Sequence, residues 1–90
     1  MRESAIEKAF FEWAKEIGAL CYKFTSPSHR GVPDRMIVMR GHCIFIEFKA
    51  PGETPSLLQL REINRLLDAG VWAGWVSSLE EAKNIVKRYL

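Results

Sequence analysis

Asp34, Glu47 and Lys49 stand in and around one short apolar hairpin. The run Met36-Ile37-Val38-Met39 precedes Gly41-His42, and Cys43-Ile44-Phe45-Ile46 follows it. Two apolar runs about a Gly-x pair read as a β-hairpin, and Gly at the first loop position suits a type II′ turn. Arg40 then faces Cys43, Asp34 faces Lys49 and Met36 faces Glu47. Strand alternation puts Asp34, Glu47 and Lys49 on one face, with Ile44, Ile46 and Phe48 pointing to the other as core. Diagonal neighbours on such a ladder are roughly 7–8 Å apart, so a single cation can bridge the two acids. A cross-strand salt bridge accounts for Asp34 with Lys49. It leaves Glu47 beside Asp34, two like charges on one face that are unfavourable without a cation.

The rest of the chain supplies the elements that must hold this hairpin. Residues 3–18 read as an amphipathic helix: Ile6, Ala9, Phe10, Trp13 and Ile17 recur at helical spacing, and Gly18 fits the stop. Ser4 with Glu7 forms a capping-box pattern, although Glu7 also borders the buried stripe beside Phe10, Phe11 and Ala14. Residues 19–24 read as a strand with Leu20, Tyr22 and Phe24 on one face, and residues 26–31 as a loop that leads into Asp34. Pro33 restricts Val32 to extended geometry and has no N–H. After a turn at residues 50–53, Thr54 or Ser56 caps a second helix reaching about Ala69, with Leu57, Leu60, Ile63, Leu66 and Leu67 as its apolar stripe. Gln59, three residues after Ser56, completes a capping box. Residues 71–76 read as a strand carrying Trp72 and Trp75 on different faces. Ser77 or Ser78 starts a last helix reaching Tyr89. The order α-β-β-β-α-β-α describes a three-layer α/β/α domain with a mixed sheet.

Ninety residues make one domain, here taken as 1–90, with one core and little margin. Hydrophobic residues at 48% and charged residues at 27% fit an ordinary globular protein. No apolar run approaches the roughly 20 residues of a membrane span, and Met1-Arg2-Glu3 does not open a signal peptide. The expectation is a cytoplasmic protein with no membrane partner. Cys21 and Cys43 have no metal-site spacing and read as reduced core residues. Net charge is only +2, but Lys23, His29, Arg30, Arg35, Arg40, His42 and Lys49 crowd the segment before and through the hairpin. A basic segment beside carboxylates is what a phosphate-backbone substrate requires. Lys23, Ser26, His29, Arg30 and Arg35 are the candidate DNA contacts; a solvated loop that happens to be basic is the alternative.

Pro33-Asp34 followed by Glu47-Phe48-Lys49 resembles the catalytic signature of the PD-(D/E)xK nuclease superfamily. The wording Gly-Val-Pro-Asp-Arg and Phe-Ile-Glu-Phe-Lys-Ala-Pro-Gly is similar to the VRR-NUC branch, in its small stand-alone phage and bacterial form. The resemblance spans nearly the whole chain and implies a restriction-endonuclease-like fold. It further implies a glutamate on the first helix that reaches a metal. Glu7 is the position favoured here and Glu3, one turn earlier, the competitor. The implied metal set is Glu7, Asp34, Glu47 and the carbonyl of Phe48. The implied catalytic set is Asp34, Glu47, Lys49 and Gln59, with the Gln59 amide holding water or a phosphate oxygen. Hard oxygen ligands select Mg²⁺, with Mn²⁺ able to substitute. The implied activity is metal-dependent hydrolysis of DNA, with a homodimer cleaving branched, four-way junctions as the first expectation. A monomeric flap or nicking nuclease and a non-catalytic nucleic-acid-binding module are the alternatives.

Overall fold

The computed structural model describes residues 1–90, with helices α1 (Glu3–Glu16), α2 (Leu57–Asp68) and α3 (Leu79–Lys87). The strands are β1 (Leu20–Lys23), β2 (Arg35–Met39), β3 (His42–Phe48) and β4 (Trp72–Val76). They form one sheet in the order β1-β2-β3-β4, antiparallel except for the parallel pair β3–β4. The sheet is therefore mixed and the element order is the expected one.

The two faces of the sheet are covered unequally. On one side α1 and α3 close the main core, where Ile6, Phe10 and Ala14 meet Ile37, Ile44, Ile46, Phe48, Val76, Ile85 and Val86. Phe10 and Phe48 are fully buried with ring centroids 5.4 Å apart. Each such ring contributes about 1.5–3 kcal/mol through burial. On the other side α2 alone covers a smaller cluster of Phe45, Ile63 and Ala73. Leu57, Leu60 and Leu67, expected in the stripe of α2, are exposed instead. A single helix meets the sheet only along the line of Ile63 and Leu66.

The hairpin turn differs from expectation. Met39 pairs with His42, so the loop is Arg40-Gly41, with φ of 46° and 79°. Both values are positive, as a type I′ turn requires, and this turn matches the twist of the flanking strands. His42 thereby joins β3, and its ring packs 4.9 Å from that of Tyr89. The register runs Arg35 to Ile46 and Ile37 to Ile44. Continued one step, it sets Asp34 against Glu47, not against Lys49. Each strand has moved by one residue, so every side chain keeps its face.

Caps explain where the helices begin. Ser56 and Gln59 form a reciprocal capping box on α2, and Ser78 accepts from the Glu81 N–H on α3. Each cap is worth about 1 kcal/mol. The box expected at Ser4 and Glu7 is absent: Arg2 is the N-cap of α1 and Ser4 lies inside the helix. Trp72 and Trp75 take opposite faces of β4, as expected from alternation, and both cysteines are free and half-buried. No helix is long and apolar enough to cross a membrane.

Candidate active site

The site lies where β2 begins and β3 ends. Asp34 and Glu47 face one another on the side of the sheet that carries α2. Glu47 is 2% exposed, the one buried charged residue of the chain. Its Oε2 accepts from the Gln59 amide at 2.8 Å and lies 3.2 Å from Lys49 Nζ. Its Oε1 is buried with no hydrogen-bond partner. Asp34 Oδ2 accepts from the Phe48 N–H at 2.9 Å, taking the place of a ladder bond. The residue across from Phe48 is Pro33, which has no N–H to give the Phe48 carbonyl.

Glu3, at the first turn of α1, completes the group. One carboxylate oxygen each from Glu3, Asp34 and Glu47 lie within 4.8 Å of one another. Burial pushes Glu47 up to about 7, the charge of Asp34 adding to it, against the opposing pull of Lys49. Burial also raises Asp34, which the Phe48 N–H partly offsets, and burial raises Glu3. Three acids, each held above its ordinary range, with one buried oxygen lacking a donor, fit a divalent cation. Such oxygen donors suit magnesium, manganese or calcium and not a soft metal.

Glu7 does not join this group. Arg35 neighbours Asp34 in sequence, so its side chain leaves the opposite face of β2, toward α1. There its Nε donates to Glu7 Oε2 at 2.7 Å, and its guanidinium lies 5.0 Å from the Phe11 ring centroid. Lys23, directly across from Arg35, brings its Nζ to 3.9 Å from the same oxygen. Two cations on one face of the sheet hold Glu7 on that face, and Glu3 is left to meet Asp34 and Glu47. Alternation alone puts Arg35 on the face opposite Asp34; packing puts α1 on that face.

The other expected residues divide. Gln59 is the expected cap of α2, its side-chain carbonyl accepting from the Ser56 N–H, and its NH₂ donates to Glu47, where the expectation was a water or phosphate oxygen. Arg35, expected as a DNA contact, is only 11% exposed in its side chain and is engaged by Glu7. His29, also expected there, lies 2.6 Å from Glu62 on α2 through its Nε2. Arg30 and Lys23 are exposed, and Ser26 is half-buried, its carbonyl accepting from the His29 N–H. Surface concavities of about 320 and 260 Å³ lie elsewhere, at the hairpin turn and beside β4.

Comparison with known proteins adds to this geometry. No family model matches the chain. A protein of Acyrthosiphon pisum secondary endosymbiont phage 1, named "Putative nuclease p44", is 49% identical over 71 residues, covering 78% of this chain and 76% of its own length. A solved structure described as "VRR_NUC domain" superposes with a TM-score of 0.86 at 27% identity, covering 98% of this chain and 97% of that one. Another, described as "VRR_NUC domain protein", superposes with a TM-score of 0.81 at 16% identity over 99% and 88% of the two chains, a likeness of fold.

Proposed function

The chain belongs to the VRR-NUC family of nucleases, and on that premise we propose a divalent-metal-dependent, structure-specific DNA endonuclease that acts as a homodimer on four-way junctions. The observation that carries the metal dependence is the meeting of Glu3, Asp34 and Glu47 within 4.8 Å, with Glu47 Oε1 buried and undonated. In this reading those three acids hold Mg²⁺ or Mn²⁺, and the Phe48 carbonyl, facing Pro33, adds a neutral oxygen. A bound Mg²⁺ supplies a water of lowered pKa and offsets the charge that builds on phosphate oxygens.

The remaining work falls to the chain itself. Lys49, tied to Glu47 at 3.2 Å, keeps further N–H donors for the attacking water or a phosphate oxygen. Gln59 fixes the Glu47 carboxylate through a neutral amide, so the acid is oriented without losing its charge. Lys23 and Arg30, both exposed, meet neighbouring phosphates of the backbone. A chain of 90 residues contacts a short stretch of DNA, and two copies about a two-fold axis present two carboxylate sites to opposing strands.

The test is a labelled four-way junction incubated with Mg²⁺, Mn²⁺ or EDTA. The expected result is paired, symmetric nicks with either metal, none with EDTA, and none from Asp34→Asn. Cleavage that persists in EDTA would remove the metal reading. Single nicks at flaps, with intact junctions, would favour a monomeric flap nuclease. Binding of DNA without cleavage in every divalent metal would leave a non-catalytic binding module.

A further inference from the structure

We propose that Tyr22 is a stacking platform for an unpaired nucleobase, on the open half of the sheet face that carries Asp34 and Glu47. α2 closes this face over Phe45 and Ala73, on β3 and β4. Toward β1 the face is open: Leu20 is 52% exposed and Tyr22 50% exposed, with Val38 half-buried across from Leu20. Alternation puts these three on the side of Met36, which packs on the small cluster, while Cys21 and Ile37 turn to the main core. Phe24, next along the strand, already has a partner, its ring 5.1 Å from that of Phe45. Tyr22 pairs with no other ring of the chain. A bare aromatic face within an exposed apolar patch marks a contact site.

Position and charge select a nucleic acid as the occupant. Phe24 stands beside Asp34 in the sheet, its N–H donating to the Asp34 carbonyl at 2.9 Å. Tyr22 lies two residues back on the same strand and face, roughly 7 Å along it. Its ring is therefore the first free aromatic surface next to the carboxylates on that side. The unpaired charges near the patch are basic. Arg40 follows Val38 by two residues, Arg30 follows His29 in the loop, and Arg65 lies beside Glu62 on α2; all three are exposed. Glu62, the acid of that flank of α2, is already met by His29 at 2.6 Å and Arg65 at 3.6 Å. Arginines around a bare ring suit alternating phosphates and bases better than an apolar peptide.

In a duplex each base face is covered by its neighbours, so a protein ring stacks only on a base that is unpaired or displaced. Every base has a π-face, and such stacking is tolerant of sequence. Tyr22 thus senses the structure of the DNA and not its bases. The platform presupposes the DNA nuclease proposed above and adds the feature of branched DNA that the chain takes, a nucleotide freed from pairing beside the scissile phosphate.

The test reads binding in EDTA, not cleavage. Fluorescence anisotropy with a labelled oligothymidylate single strand is expected to show Tyr22→Leu binding roughly 5–100-fold more weakly than the wild type, and Tyr22→Phe within about twofold of it. Leucine keeps an apolar side chain and removes the ring, so a merely structural role would leave the affinity in place. A blunt duplex of equal length is expected to bind all three proteins alike. In the wild type, a single strand carrying 5-iododeoxyuridine is expected to photocrosslink at Tyr22, a readout that does not depend on any variant folding. Equal single-strand affinity of Tyr22→Leu and the wild type, or crosslinks that avoid β1, overturns the platform. A wild type that binds the duplex but not the single strand also overturns it and leaves the nuclease intact, whereas binding of neither removes the DNA reading itself. Loss of self-association in Tyr22→Leu, read by sedimentation, would give the face to a second copy instead.

Discussion

Glu3 and Glu7 lie four residues apart on α1 and present to the same side of the helix. Their neighbours differ in sign. Glu7 is met by Arg35 and Lys23, whereas Glu3 is met by Asp34 and Glu47. The two substitutions therefore separate stability from metal affinity. Glu3→Gln is expected to weaken Mn²⁺ binding roughly tenfold or more, read by titration calorimetry, with little change in melting temperature. Glu7→Gln is expected to leave that affinity within a factor of a few and to lower stability by about 1–3 kcal/mol, because Arg35 keeps its burial and loses its counter-charge. Equal loss of affinity in both variants would refute the assignment of Glu3 to the metal.

At the scale of elements, the loop of residues 25–33 and the N-terminus of α2 are one unit. His29 to Glu62 and Gly31 against Leu58 clamp the loop to the helix that carries Gln59. Gly31 has φ +86°, a conformation that favours glycine, and the Leu58 carbonyl leaves no room for a Cβ. Gly31→Ala must displace either the loop or the helix, and with it the amide that holds Glu47. We expect a loss of at least about 1–2 kcal/mol in urea unfolding. Cleavage is expected to fall further than unfolding alone explains, as kcat measured well below the melting temperature. The control Ser56→Ala removes only the cap, at about 1 kcal/mol.

For the molecule as a whole, one buried acid with two half-buried acids beside it makes the metal-free fold sensitive to pH. Glu47 sits at about 7 in the folded chain, above its ordinary value of 4.5, so the folded state holds this proton more tightly than the unfolded one. The contribution is fully present below the ordinary value and is lost as pH rises through about 7. Its ceiling is roughly 3 kcal/mol for this group alone. Metal-free protein is thus expected to melt at falling temperature from pH 5 to 7.5, and Glu47→Gln to flatten that slope. Excess Mn²⁺ at the upper end should recover the loss by mass action, since it binds the folded chain and its deprotonated carboxylates. A melting temperature that climbs with pH over this range would contradict the burial of Glu47 as an acid.

Much of this was legible in the chain alone because it depends on local periodicity. Alternation put Glu47 and Lys49 on one face, and Asp34 joined them because the slip from Gly41-His42 to Arg40-Gly41 kept a two-residue loop and conserved parity. The caps at Ser56 and Ser78, the element order and the opposed faces of Trp72 and Trp75 likewise follow from neighbours a few residues apart. What tertiary structure decided were meetings between distant segments. The choice of Glu3 over Glu7 was made by Arg35 and Lys23 arriving from two strands onto one side of α1. The engagement of His29 by Glu62, and the exposure of Leu57, Leu60 and Leu67, depend on where α2 crosses the sheet. Helical spacing states which side chains travel together; only packing fixes which of them find a neighbour.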